Sequence, residues 1–290
     1  MSDSPHLAPH ALGLTGTATL PHRPMSHPGT TGGAWGMGSS GVCERAAQPP
    51  PIGGPVFDLA AVKLHRPLPR PGTVHRGPLL ERLADGASCP VVSVTAPAGY
   101  GKTTLLSQWA QANGQAFAWV SANEEDNDPR VLLTYIAEAL DAIEPVDERV
   151  FDALISSGSS VTGSAIPRLS AAFLSMTSPV VLVIDDVHVL HHRECRAAVS
   201  VLANHVPKGS HLALAGRTSP PLPVARLRAE GKIAEIGPAD LSLTLAEAEA
   251  LLDAAGVTSG EDEVKELHRR TEGWPAGQIS TRGIPTPCSR

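Results

Sequence analysis

The sequence predicts an α/β fold in which a parallel sheet is covered by helices on both faces. Four short apolar segments recur along the chain, and a helix-like pattern follows each of the first three. Strands that are apolar on both sides need cover on both faces, which the helical crossovers of a parallel sheet provide. Of the 290 residues, 42% are hydrophobic and 18% are charged, which is the balance of a globular protein of one or two domains.

The predicted strands and helices alternate from residue 58 to about residue 240. The strands comprise residues 90–96, 116–122, 179–185 and 211–216. The helices between them comprise residues 102–113, 128–143, 166–176 and 193–206. Asp128 and Pro129 begin the second helix as its N-cap and its first helical residue. We therefore predict an α/β domain over residues 58–240.

The pattern becomes purely helical after residue 240. The segment TLAEAEALLDAAG begins with Thr244 and Glu247 in the spacing of a capping box and ends at Gly256. A second helix is predicted over residues 261–277, with acidic residues first and basic residues last, as the helix dipole favours. These two helices predict the start of a small helical domain over residues 241–278.

The two ends of the chain are predicted to be irregular. Residues 1–57 are rich in Pro, Gly, His, Ser and Thr, so they bury too little apolar surface to offset the entropy of ordering. We predict a disordered tail there. Gly283, Pro285 and Pro287 oppose a helix over residues 279–290.

A glycine-rich stretch, TAPAGYGKTTLL, connects the first predicted strand to the first helix. A strand, a glycine-rich loop, Lys102, two threonines and a helix form the phosphate-binding loop (P-loop) arrangement of nucleoside triphosphatases. Ala96 stands where the pattern usually has its first glycine. We expect Lys102 to reach the β- and γ-phosphates, Thr103 to ligate Mg²⁺ and Thr104 to contact the inner phosphates. The residues predicted to bind nucleotide in this loop are Ala98, Gly99, Tyr100, Gly101, Lys102, Thr103 and Thr104.

The strand VVLVID ends in two carboxylates and is expected to lie beside the first strand in the sheet. We expect Asp185 to hold Mg²⁺ through water and Asp186 to orient or deprotonate the attacking water. Arg217 follows the next strand, where it is either a sensor of the γ-phosphate or a surface residue that begins a loop. The histidines and cysteine of HVLHHREC match no established zinc spacing.

Taken together, these segments resemble the ATPase domain of the MalT-type, LuxR-family transcriptional regulators, which belong to the STAND class of signal-transducing P-loop NTPases. The similar segments run in family order from residue 62 to about residue 278, among them KLHRPLPRPGTVHRGPLLERL, APAGYGKTTLLSQW, VVLVIDDVHVL and RRTEGWPAGQ. The resemblance implies that the backbone around Val74 and Arg76 lies against adenine and that Pro275 stacks near the base. It also implies that Arg217 is the sensor arginine and that alanine at position 96 is ordinary.

The resemblance implies an ATP-binding, slowly hydrolysing switch that uses ATP, ADP and Mg²⁺. Family members continue after GWPAG with helical repeats and a helix-turn-helix, whereas this sequence reads QISTRGIPTPCSR. We therefore expect a truncated or frameshifted regulator, or one reduced to its switch domain. The alternatives are a nucleotide-holding interaction module without turnover, an inert remnant, or an ordinary P-loop enzyme, although no LSGGQ signature is present.

The composition and net charge of the chain restrict the classes of binding partner and the cellular location that we expect. The net charge of −6 argues against a generally basic surface that binds nucleic acid, so we expect no direct DNA binding by this chain alone. The four cysteines have no paired spacing, and no apolar run approaches the ~18 residues of a membrane span. We expect a cytoplasmic protein whose partners are a nucleotide and either a second copy of itself or a regulatory protein.

Overall fold

A computed structural model describes residues 60–70, 72–85, 89–156 and 160–280. The predicted disordered tail over residues 1–57 and most of the predicted irregular tail lie outside these residues. Within them, five strands form one parallel sheet, which confirms the predicted fold class. The strands are β1 (Val91–Thr95), β2 (Ala116–Ser121), β3 (Val180–Asp185), β4 (His211–Gly216) and β5 (Ile233–Ile236).

The strand order is β2-β3-β4-β1-β5. The expectation that the carboxylate strand lies beside the first strand is therefore wrong, because β4 separates β3 from β1. The carboxyl ends of all five strands still meet at one edge of the sheet, as parallel pairing requires. Consequently Asp185, Arg217 and the loop after β1 all lie at this edge.

The fifth strand, β5, was not predicted from the sequence. It has four residues, and only Ile233 and Ile236 at its two ends are buried. It pairs with β1 through Val91 and Ile233. A short edge strand that is half-buried has neither the continuous apolar run nor the length on which the other predictions relied.

Helices cover both faces of the sheet, and each described helix is too short or too polar to cross a lipid bilayer. Asp128 caps α3 as predicted, because its side chain accepts a hydrogen bond from the backbone N–H of Arg130 at 2.8 Å. The helices are α1 (Gly77–Asp85), α2 (Lys102–Ala112), α3 (Pro129–Asp141), α4 (Glu148–Ile155), α5 (Ile166–Leu174), α6 (Arg193–Asn204), α7 (Val224–Ala229), α8 (Pro238–Leu241), α9 (Leu245–Ala254), α10 (Glu261–Thr271) and α11 (Pro275–Ser280).

Successive residues of the central strands pack into two different cores. Val180, Leu182 and Ile184 of β3 join the core under α3, α5 and α6, whereas Val181 and Val183 join the core under α1 and α2. This alternation follows from the two-residue period of a strand. It places the next odd-numbered residue, Asp185, on the α2 side of the sheet.

The helical segment after residue 240 has its own small core, formed by buried residues of α9 and α10 and by Leu243. The predicted capping box of α9 is confirmed, because Thr244 Oγ1 accepts from Glu247 N and the Glu247 carboxylate accepts from Thr244 N. The single helix predicted over residues 261–277 is wrong. It is broken at Glu272, which has a left-handed φ of 50°, and at Gly273, with φ 74°.

The break has a local cause and a tertiary one. Pro275 has no N–H to continue the preceding helix and instead begins α11. A Cβ on Gly273 would lie 2.7 Å from the carbonyl oxygen of Leu243, so the chain turns where only glycine fits. The turn carries α11 towards the loop after β1, and α11 includes Ile279 and Ser280 of the segment predicted to be irregular.

Candidate functional site

The loop between β1 and α2 curls around the head of Lys102. Gly99 and Gly101 both have φ of +80°, a left-handed conformation that lets the loop turn twice within three residues. Lys102 Nζ donates hydrogen bonds to the carbonyl oxygens of Ala96 at 2.8 Å and Pro97 at 3.0 Å. The lysine is therefore held inside its own loop, at the N-terminus of α2 where an anion is favoured.

Burial and neighbouring charges act on Lys102 in opposite directions. Burial lowers the pKa of Lys102, the carboxylates of Asp186 and Asp185 raise it, and the charge of Arg217 lowers it further. Arg217 itself is exposed immediately after β4. Two cations and two carboxylates thus share the edge of the sheet, as expected where charged ligands are bound.

Thr103 and Asp185 are joined directly across the site. Thr103 Oγ1 donates to Asp185 Oδ2 at 2.6 Å, and the backbone N–H of Asp186 donates to Asp185 Oδ1 at 3.0 Å. Burial raises the pKa of Asp185 to about 6, although its hydrogen bond with Thr103 acts in the opposite direction. A buried carboxylate next to a threonine hydroxyl offers the hard oxygen ligands that Mg²⁺ prefers, so the two residues predicted to hold the metal lie together.

Asp186 lies just beyond the end of β3. It has a left-handed φ of 57° and precedes a one-turn 3₁₀ helix, Val187–Val189. Its side chain is half-exposed, whereas the side chain of Asp185 is buried. The left-handed turn at Asp186 therefore places the two adjacent acids in different surroundings.

His188 lies next to this site. In the sequence analysis it was considered only as one of the histidines of a possible zinc site. Its Nδ1 lies 3.7 Å from Asp186 Oδ1 and is buried without a hydrogen-bond partner within the described part of the chain. Burial lowers the pKa of His188, and the charge of Arg217 adds to that effect. In the described ranges, no group of three or more His, Cys, Asp or Glu side chains is arranged to hold a metal ion.

A cavity of about 370 Å³ opens beside the loop, between the α/β part and the helical segment. Its volume falls in the usual range for sites of small molecules. It brings together seven of the residues predicted to bind nucleotide. These are Val74, Arg76, Gly99, Tyr100, Gly101, Thr104 and Pro275. The same cavity is lined by apolar residues that the sequence did not single out, namely Leu243, Leu251, Ala276 and Ile279.

Gln108 of α2 holds the segment at Val74 and Arg76 in place. Its Nε2 donates to the carbonyl oxygen of Val74 at 2.8 Å, and its Oε1 accepts from the backbone N–H of Arg76 at 3.0 Å. Gln108 is 6% exposed. The position of Gln108 on the buried face of a helix was the sequence signal that could have identified this role, because a buried side-chain amide requires hydrogen-bond partners.

The side chain of Arg76 contacts protein on the far side of the cavity. Its guanidinium donates to the carbonyl oxygens of Leu241 at 2.8 Å, Asp240 at 3.1 Å and Ser242 at 3.2 Å. It also forms an ion pair with Glu247, with 3.1 Å between Nε and Oε1. Arg76 therefore fastens the helical segment to the α/β part, and only its backbone and stem are left for the cavity.

Known proteins are similar to this chain over about three quarters of its length. A family model described as an AAA ATPase domain matches residues 78–215. The HTH-type transcriptional regulator MalT of Serratia proteamaculans is 34% identical over 230 residues, which cover 74% of this chain and 24% of that protein. The MalT of Yersinia enterocolitica is 31% identical over 218 residues, with the same shares. The chain is homologous to the MalT transcriptional regulators.

The MalT homology confirms the resemblance predicted from the sequence motifs. The chain spans about a quarter of the length of these MalT proteins. Among solved structures, a STAND protein with a tetratricopeptide repeat sensor from Pyrococcus horikoshii is similar, with a TM-score of 0.54 and 16% identity. The match covers 78% of this chain and 32% of that protein. It shows that the two share the fold of a P-loop ATPase.

Proposed function

We propose that this chain is an ATP-binding, slowly hydrolysing, Mg²⁺-dependent switch domain of a LuxR/MalT-type transcriptional regulator. One observation carries the proposal: Thr103 and Asp185 meet at 2.6 Å directly below a loop shaped by Gly99 and Gly101. A hydroxyl from the loop helix and a carboxylate from a second strand are the two protein ligands that a nucleotide-bound metal ion requires.

Binding of the nucleotide divides between the loop and the cavity. The loop N–H groups and the N-terminus of α2 bind the phosphates, and Lys102 exchanges its loop carbonyls for phosphate oxygens. The cavity beside the loop takes the base between the segment at Val74 and the apolar residues at Pro275 and Ile279. The charged phosphates therefore contact polar groups of the loop, and the base contacts apolar side chains of the cavity.

Hydrolysis needs residues that act on the phosphates and on water. Asp185 and Thr103 hold Mg²⁺, which neutralises phosphate charge when bound. Asp186, half-exposed beyond the strand end, orients the attacking water and accepts its proton. Arg217, exposed at the end of the intervening strand, stabilises the negative charge that develops on the transferred phosphoryl group. We expect slow turnover, because Asp186, the base that we assign to this step, is partly solvated.

The regulatory role follows from homology with HTH-type regulators. We propose that the helical segment, which shares the cavity with the loop, changes its contacts with the nucleotide state and passes that change to a second copy or a regulatory protein. A regulator of this class acts in the cytoplasm, where DNA is accessible. The alternatives of a nucleotide-holding module without turnover and of an inert remnant are separated from this function by turnover and binding measurements.

The test is ATP binding by isothermal titration calorimetry with Lys102→Met. The substitution keeps the aliphatic stem of the buried lysine and removes its charge, so we expect at least a tenfold loss of ATP affinity, equivalent to about 1.4 kcal/mol. Lys232→Met is the matched control, because Lys232 is half-exposed and forms an ion pair with Glu230 on the surface. Equal ATP affinity of the Lys102 variant and the parent would refute the proposal, as would a parent that binds no nucleotide.

A further inference from the structure

The start of α11 is hydrogen-bonded to the apex of the phosphate-binding loop. Trp274 Nε1 donates to the carbonyl oxygen of Ala98 at 3.1 Å, and the backbone N–H of Ala276 donates to the carbonyl oxygen of Gly99 at 3.3 Å. Two successive loop carbonyls are thus held by donors from a segment that lies 176 residues further along the chain.

The indole lies in a gap that only glycines leave open. A Cβ on Gly99 would lie 2.5 Å from Ala276 Cβ and 2.9 Å from Trp274 Nε1. A Cβ on Gly277 would lie 2.4 Å from Trp274 Cε3. Real Cβ atoms do not approach so closely, so Gly99 is required for docking of α11 as well as for its left-handed φ.

The contact fixes the direction of the loop N–H groups. In a trans peptide, the C=O and the N–H of the same unit point in opposite directions. Since the carbonyls of Ala98 and Gly99 point to Trp274 and Ala276, the N–H groups of Gly99 and Tyr100 point away from α11. Neither N–H donates a hydrogen bond to any atom in the described ranges, so both remain available to an anion in the loop.

Trp274 is not among the residues that line the cavity, although its neighbours Pro275 and Ala276 are. It therefore acts through the loop rather than by contact with a base. We infer that Trp274 is a positioning residue of the phosphate-binding loop: its indole N–H holds the Ala98–Gly99 peptide in the orientation that binds a polyphosphate. The inference rests on the proposed nucleotide binding and adds that the affinity of the loop depends on docking of α11.

The test compares a polyphosphate ligand with one that has no phosphate. Trp274→Phe keeps an aromatic ring and removes the N–H, and dissociation constants for ADP, ATP and adenosine are measured by calorimetry on the full chain. We expect ADP and ATP to bind about 3- to 10-fold more weakly, the loss that one hydrogen bond accounts for, and adenosine to bind as in the parent. If Trp274 only packs α11, all three ligands weaken together, because Pro275 and Ile279 line the cavity.

The control removes the hydrogen bond of a different indole, that of buried Trp119. Trp119 Nε1 donates to Ser121 Oγ at 2.9 Å on β2, so Trp119→Phe should leave the ratio of ADP to adenosine affinity unchanged. If Trp274→Phe does not fold, a benzothienylalanine at position 274 preserves the bicyclic ring without the N–H, and the same shift is expected.

The outcomes separate the inference from the proposed function. A parent that binds ADP and a Trp274 variant that binds it equally well would overturn the inference and leave the nucleotide site intact. Parallel losses for ADP and adenosine would also overturn it. A parent that binds none of the three ligands would overturn the proposed function itself.

Discussion

Replacing Asp185 by asparagine should stabilise the nucleotide-free protein while it damages the metal site. Asp185 is 3% exposed, and its burial raises the pKa from 3.8 to about 6. At 1.36 kcal/mol per pKa unit, this rise corresponds to about 3 kcal/mol against the ionised carboxylate at neutral pH. The carboxylate accepts one hydrogen bond on each oxygen, from Thr103 and from the N–H of Asp186. An amide oxygen replaces only one of the two, at a cost of about 1 kcal/mol, so Asp185→Asn should gain about 2 kcal/mol.

The sign of the pH dependence follows from the raised pKa. Below pH 3.8 the carboxyl group is protonated in both the folded and the unfolded state, and it does not oppose folding. As the pH rises through about 6, the unfolded chain has already ionised and the folded protein loses stability relative to it. The advantage of the asparagine variant should therefore grow from acidic to neutral pH and be complete above about pH 7.

The assay is thermal unfolding of the nucleotide-free parent and variant in a chelating buffer between pH 5 and pH 7.5. A gain of about 2 kcal/mol should raise the melting temperature by roughly 4–8 °C at the upper pH, and by less at pH 5. Asp186→Asn is the matched control, because that carboxylate is half-exposed and gains little on neutralisation. A variant that melts at or below the parent at pH 7.5, or an advantage that does not shrink with falling pH, would show that burial of this charge is not costly.

Three further outcomes are expected. The Asp186→Asn variant should bind ATP with an affinity within about twofold of the parent and should hydrolyse it about 100-fold more slowly in single-turnover measurements. Hydrolysis at the parental rate would show that Asp186 is not the base. Arg76→Met should lower the free energy of unfolding in urea by about 3 kcal/mol, because the carbonyl oxygens of residues 240–242 lose the guanidinium and Glu247 loses its ion pair. Arg82→Met, at a half-exposed ion pair, should cost less than about 1 kcal/mol; equal costs would contradict the anchoring role of Arg76. The chain alone, with a net charge of −6, should give no sequence-specific gel shift with promoter DNA at physiological salt; a specific complex would refute this.

The sequence by itself determined the features that depend on near neighbours along the chain. Continuous apolar runs identified four strands to within about two residues, because a buried strand needs them regardless of its position in the sheet. The caps at Asp128 and Thr244 followed from hydrogen bonds that reach only two or three residues ahead. The phosphate-binding loop was recognisable for the same reason, since its glycines, Lys102 and Thr103 act within one turn of the chain.

Only the tertiary structure decided how distant segments meet. The insertion of β4 between β1 and β3 and the edge strand β5 depend on pairing with remote residues, which no local pattern encodes. The break after Glu272 has a local signal in Pro275, but the tight approach of Gly273 to Leu243 is set by packing. Gly99 illustrates the difference: its sequence context indicates a turn, whereas its contact with Trp274 and Ala276 requires the approach of a helix far along the chain. Backbone conformation is set by adjacent residues, but a close approach between helices is set by the packing of the whole domain.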